Sequence, residues 1–163
     1  GHTYVMGGFD GTHTAADVLQ TDDGTSFRVV TQLPVPVRYP GIAVSGSTIY
    51  LFGGQVGSGQ TADIQAIDVA SGTARIVGTL PQALSEATAW TQQGQVFLAG
   101  GRVGSTIVRT IWRFDPAGGQ AVAVASLPRP TADAPVAVIG TDAFLFGGEG
   151  PSRLNGIVRV SLQ

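Results

Sequence analysis

The chain has no cysteine and no lysine, and its nine basic side chains are all arginine. Disulfides, thiol chemistry and a Schiff-base amine are thereby excluded. The available nucleophiles reduce to Ser, Thr, carboxylate, Tyr and two histidines, His2 and His13. Neither histidine stands at a spacing that would pair it with a second ligand on one element, so no metal and no cofactor is expected. Paired glycines recur along the chain, but no GxxxxGK[ST] sequence accompanies them and no helix start follows, which removes the phosphate-cradle reading. What remains is recognition chemistry. Arginine and tyrosine carry interface energy more often than other residues, and an arginine can grip a carboxylate through two parallel bonds. Trp90 and Trp112 could stack on a flat ligand, but both fall in expected strands and read as packing residues. A net charge of -2 and a pI near 5.5 offer no basic field for nucleic acid or an anionic membrane.

These residues are positioned by a repeat. A short apolar run ending in a glycine pair occurs four times, at Gly7 and Gly8, Gly53 and Gly54, Gly100 and Gly101, and Gly147 and Gly148, in steps of 46, 47 and 47 residues. A Leu-Pro pair keeps the same register at Leu33, Leu80 and Leu127, each 20 residues before the next glycine pair. An aspartate follows the first glycine by 15 residues at Asp22, Asp68 and Asp115, with Leu162 in the last copy. The approximate repeats are 1–37, 38–84, 85–130 and 131–163, a single array.

Each repeat reads as four short strands. In the fullest copy they fall at 41–44, 49–52, 64–69 and 74–78, with turns at 45–47 and 70–72, and a longer loop at 55–62. The runs are rich in Val, Ile, Phe and Ala with partial alternation, which suits strands buried between stacked sheets. Gly72 and the repeat context argue against a helix over 63–70. Two adjacent residues without Cβ allow positive φ and close backbone packing, so the glycine pairs read as structural.

A four-stranded unit of this length with a glycine pair after its second strand resembles the kelch repeat. That resemblance covers essentially the whole chain and implies an all-β fold, a β-propeller of four-stranded antiparallel blades around a channel. Kelch repeats often carry a Tyr and a Trp in the third and fourth strands. Here those places hold Ile67 and Ala74, then Phe114 and Ala121, so the repeats look like a divergent, bacterial-type version. About fourteen strands, or three and a half blades, are expected. The array is therefore expected to be either a segment of a six- or seven-bladed propeller or one half of a ring closed by a homodimer.

In such a blade the loop between strands two and three emerges on the same side as the link to the next blade. The expected binding face therefore holds Asp10, Arg38, Tyr39, Glu86, Arg102, Arg109 and Glu149, with Phe9, His13, Gln55, Ser58, Asp133 and Arg153 beside them. Arg38 leads, because kelch domains that bind acidic peptides place arginines just after strand four; Arg102 follows directly on a glycine pair. The resemblance implies a non-catalytic module for a protein or carbohydrate ligand. The enzyme alternative is a sugar-processing kelch protein similar to the sialic-acid mutarotases, with Glu86, Arg38 and Arg102 around a sugar acid. The copper chemistry of galactose oxidase needs a cysteine that this chain lacks. No apolar stretch reaches the roughly 18 residues of a membrane span, and no signal peptide is visible, so any targeting segment is expected to be removed or to lie outside this sequence. Composition resembles that of secreted or surface-anchored bacterial kelch proteins, which sets extracellular or cell-surface as the expected location.

Overall fold

In a computed structural model, which describes residues 1–162, the described residues form strands and turns with no helix. The last position of the fourth repeat, Gln163, lies outside the described residues. Four antiparallel blades follow one another along the chain. Blade one holds β1 (Thr3–Met6), β2 (Asp17–Thr21) and β3 (Arg28–Gln32). Blade two holds β4 (Gly41–Ser45) and β5 (Thr48–Phe52), a small hairpin of β6 (Gln55–Val56) and β7 (Gly59–Gln60), then β8 (Asp63–Asp68) and β9 (Thr73–Thr79). Blade three repeats this plan in β10 (Thr88–Gln92), β11 (Gln95–Ala99), the hairpin β12 (Arg102–Val103) and β13 (Thr106–Ile107), β14 (Thr110–Asp115) and β15 (Gln120–Ser126). Blade four holds β16 (Val136–Ile139), β17 (Asp142–Phe146) and β18 (Ile157–Val160). The chain is a partial β-propeller.

The two complete blades have strand orders β4-β5-β8-β9 and β10-β11-β14-β15, and their outer strands touch through one parallel bridge, Gln120 to Thr79. The inner strands β4, β10 and β16 lie side by side and line the channel. The 55–62 segment, expected as an open loop, folds instead into the β6–β7 hairpin, and β12–β13 repeats it one blade on. Gly57 and Gly104, at φ +56° and +59°, open the two-residue turns that make these hairpins possible.

Three apolar clusters fill the spaces between successive blades. Leu51, Val18 and Val37 pack with Tyr4 and Met6 in the first; Phe52, Leu98 and Phe114 with Tyr50 in the second; Phe97, Ala99 and Leu145 with Trp90 in the third. Alternation places successive residues of each second strand on opposite faces, so one strand feeds two clusters. The residues standing where kelch repeats often carry Tyr and Trp are direct cross-strand partners, Ile67 with Ala74 and Phe114 with Ala121. Phe114 makes edge contacts with Tyr50 and Phe52, each at 5.2 Å between ring centres, so aromatic packing persists with different residues. Trp90 is buried against Phe97, with its indole N–H donating to Gln92 Oε1 at 3.0 Å, and Trp112 is buried as well. Neither indole is available as an open platform.

The spacing markers acquire mechanical roles. The N–H groups of Leu33, Leu80 and Leu127 donate to the carbonyls of Ala16, Ala62 and Arg109 at 2.7 Å each, and all three leucine side chains are buried. The glycine pairs dock the links between blades. Gly8, Gly54 and Gly101 donate to the carbonyls of Val37, Leu84 and Thr131 at 2.9, 2.8 and 2.8 Å. A Cβ on the preceding glycine, Gly7, Gly53 or Gly100, would be driven into that same carbonyl oxygen.

Candidate functional site at the channel mouth

The links into blades two, three and four end in Tyr39, Glu86 and Asp133, 47 residues apart, each just before an inner strand. All three have left-handed backbone, at φ 55°, 59° and 51°. Non-glycine residues enter this region at a cost of about 1–3 kcal/mol and persist only where neighbouring structure imposes them. Here the imposition is a backbone ladder: Glu86 N–H donates to the Tyr39 carbonyl at 2.9 Å, and Asp133 N–H to the Glu86 carbonyl at 3.0 Å. One step earlier in each link, Arg38, Ser85 and Ala132 exchange paired backbone bonds with Gln55, Arg102 and Glu149, the residues that follow the glycine pairs. The two sets of loops therefore form one surface.

That geometry joins four charged side chains from two blades. Arg102 donates through Nε to Glu86 and through a terminal nitrogen to Glu149. The carboxylates of Glu86, Asp133 and Glu149 have oxygen atoms within 4.8 Å of one another. Burial, followed by the negative charges of Glu86 and Glu149, pushes the Asp133 carboxyl above the ordinary carboxylate range, while Arg102 pulls the other way. Glu86 is the sheltered member, with a side chain 11% exposed, whereas Glu149 is 55% exposed. Three carboxylates face one guanidinium, so Arg102 is already engaged.

Arg38 sits differently. Its guanidinium lies 4.7 Å from the centre of the Phe9 ring and 5.6 Å from that of Tyr39, and its Nε donates to Gln55 Oε1 at 3.0 Å. No carboxylate pairs with it among the described residues. A hollow of about 280 Å³ opens beside it, lined also by Gln55, Ser58, Gln60 and the backbone of Gly57, Gly59 and Gly104. Stacking and the Gln55 bond hold the guanidinium in one plane and leave its terminal N–H groups for an acceptor.

A match to the Kelch motif family model covers residues 83–120, from the Leu84 link through blade three to the start of β15. The chain is a kelch-repeat protein. No curated protein matches it. The kelch mouth therefore gathers Arg38, Tyr39, Glu86, Arg102 and Glu149, but not every residue expected there. The Asp10 carboxylate instead closes its own loop, accepting the N–H groups of Thr12 and His13 at 2.7 and 2.6 Å, and these bonds hold it below the ordinary carboxylate range. Arg109 stands exposed at the start of β14, and its side chain joins no ion pair among the described residues. Sequence reasoning passed over Gln60. Its amide nitrogen donates to Ser85 Oγ at 2.7 Å and to the Arg102 carbonyl at 3.1 Å, while its oxygen accepts Gly104 N–H at 2.7 Å, joining blades two and three under the hollow. His2 bonds Asp22, far along the chain from the mouth residues.

Proposed function

We propose that the chain is a non-catalytic binding module and presents this loop face to a protein or carbohydrate ligand, with Arg38 as the anchor for a carboxylate. The observation that carries the reading is the contrast between two arginines of one rim. Arg102 is saturated by Glu86 and Glu149, whereas Arg38 is oriented by Phe9, Tyr39 and Gln55 and has no anionic partner among the described residues. A guanidinium held in advance loses less freedom on binding, which favours a planar bidentate acceptor. Gln55, Ser58, Gln60 and the Gly57 and Gly59 amides supply further polar contacts around it.

Amide NMR with a glutamate-rich peptide and with N-acetylneuraminate as probes tests this. Saturable shifts at Gly57, Gly59 and Gly104 are expected, reduced about tenfold or more in affinity by Arg38→Ala and kept in part by Arg38→Lys. Absence of shifts with both probes, or shifts indifferent to Arg38→Ala, would refute the reading.

One observation favours a second reading, a sugar-processing kelch enzyme similar to the sialic-acid mutarotases. Glu86 and Arg102 do converge at the mouth. A carboxylate beside an arginine is the set that anomeric ring opening requires. Faster interconversion of N-acetylneuraminate anomers, abolished by Glu86→Gln, would establish that reading against the binding module. The composition supports an extracellular or cell-surface location on a bacterium, which fractionation of the native source would test.

A further inference from the structure

Each junction between blades is assembled from two register positions of the second strand. The following face of a blade offers Tyr4 and Met6, then Tyr50 and Phe52, then Phe97 and Ala99; the preceding face of the next blade offers Leu51, Leu98 and Leu145. The same positions occur once more at each end of the array, uncovered. Val5 stands where Leu51 and Leu98 stand, yet it is 47% exposed and they are 0% exposed. Phe146 stands where Phe52 stands, and is 37% exposed against 0%. Val5 is flanked through Leu19 by exposed Val29, and Phe146 is paired with exposed Ile157, so each end is an apolar sheet face and not a lone side chain.

We propose that a second copy of this chain covers both faces. Blade four of one copy packs on blade one of the other, and the reverse, closing a ring of eight blades around a two-fold axis. The argument is continuity with an interface the chain already builds three times. The face open on blade four is a following face and the face open on blade one is a preceding face, so the two halves of the junction sit on one molecule in matching register. Such a head-to-tail contact propagates until it closes, and eight blades fall within the range over which propellers close.

Light scattering on the purified chain, from micromolar to near-millimolar concentration, should give twice the 16.7 kDa chain mass. Val5→Asp and Phe146→Asp should each give monomers, because either change spoils both junctions of the ring. Mixing the two variants should restore association, since one junction of the mixed pair then contains neither substitution. Circular dichroism of each variant, matching the parent, separates loss of pairing from loss of fold. A folded monomer at every concentration overturns the proposal, as does a parent chain that does not fold alone. A dimer broken by only one variant and not rescued by mixing also overturns it, because it would report like faces meeting.

Discussion

The N–H of Gly54 donates to the Leu84 carbonyl at 2.8 Å, and a Cβ on Gly53 would be driven into that same oxygen. One residue makes the contact between blades and its neighbour must keep out of the way. Gly53 also has φ +61°, a conformation that side chains disfavour. Gly53→Ala and Gly100→Ala are therefore expected to destabilise by about 3 kcal/mol or more in urea unfolding, from strain plus a displaced link. Gly147→Ala should cost only about 1 kcal/mol, because its nearest obstacle, the Leu154 carbonyl, stands 3.0 Å away. Equal losses at the three sites would mean that positive φ alone explains the pairs.

Asp133 provides a test by pH. Its folded carboxyl titrates above the ordinary range, first because of burial and then because of Glu86 and Glu149. The folded state thus holds the proton more tightly than the unfolded state, and stability falls as pH rises from the ordinary aspartate range through the raised value. Asp133→Asn is expected to raise the melting temperature at neutral pH and to have little effect below the ordinary range, where both forms are uncharged. Thermal scans across acidic to neutral pH would show the two curves converging on acidification. Parallel curves would place the burial penalty elsewhere.

The two bonds of Arg102 are expected to differ in worth. Glu86 is sheltered and Glu149 is largely in water, so solvent screening discounts the second pair. A double-mutant cycle with Arg102→Met and Glu86→Gln should give a coupling of about 1–2 kcal/mol, little changed by salt. The cycle with Glu149→Gln should give roughly 0.5 kcal/mol or less, and lose it at high salt. Arg102→Met alone should also raise the Asp133 pKa further, because the one group pulling it down is gone.

Much of this fold was legible in the sequence because its markers are backbone requirements. A glycine pair, a leucine before proline and a fixed step each leave an unambiguous residue type at a fixed place, and the strands fell within a residue or two of the expected ranges. The rim was less legible. Nothing about Tyr39, Glu86 or Asp133 as residue types announces left-handed backbone; the ladder between the links imposes it. The charged cluster left one usable signal, since a step of 47 residues carries Arg102 to Glu149 and Glu86 to Asp133, placing all four at equivalent points of neighbouring blades. The Gly57–Ser58 and Gly104–Ser105 turns, also 47 residues apart, could likewise have revealed the hairpins beneath the hollow. Gln60 had no such signal, because its three bonds depend on how two blades meet.

The aspartate marker shows how register and role can part. Asp68 and Asp115 close the turn between third and fourth strands: Asp68 accepts the N–H groups of Ala70 and Ser71, and Asp115 that of Ala117. In the first repeat the residue in register is Asp22, but it bonds His2 and Gln20. Asp23 does the turn-closing work, accepting from Thr25 and Ser26 at 2.8 and 2.7 Å, and those bonds depress its carboxyl far below the ordinary range. Blade one is also where the repeat is one residue short, between Asp22 and Leu33, so the turn is re-seated and the strand register is kept. Asp23→Ala is expected to lower the melting temperature and Asp22→Ala to leave it nearly unchanged, the reverse of what register alone implies. Because the folded Asp23 pKa is depressed, its contribution is present above the ordinary aspartate range and fades as pH falls toward the folded value, so the two variants should converge in strong acid. A larger loss from Asp22→Ala would return the turn to the residue that the repeat marks.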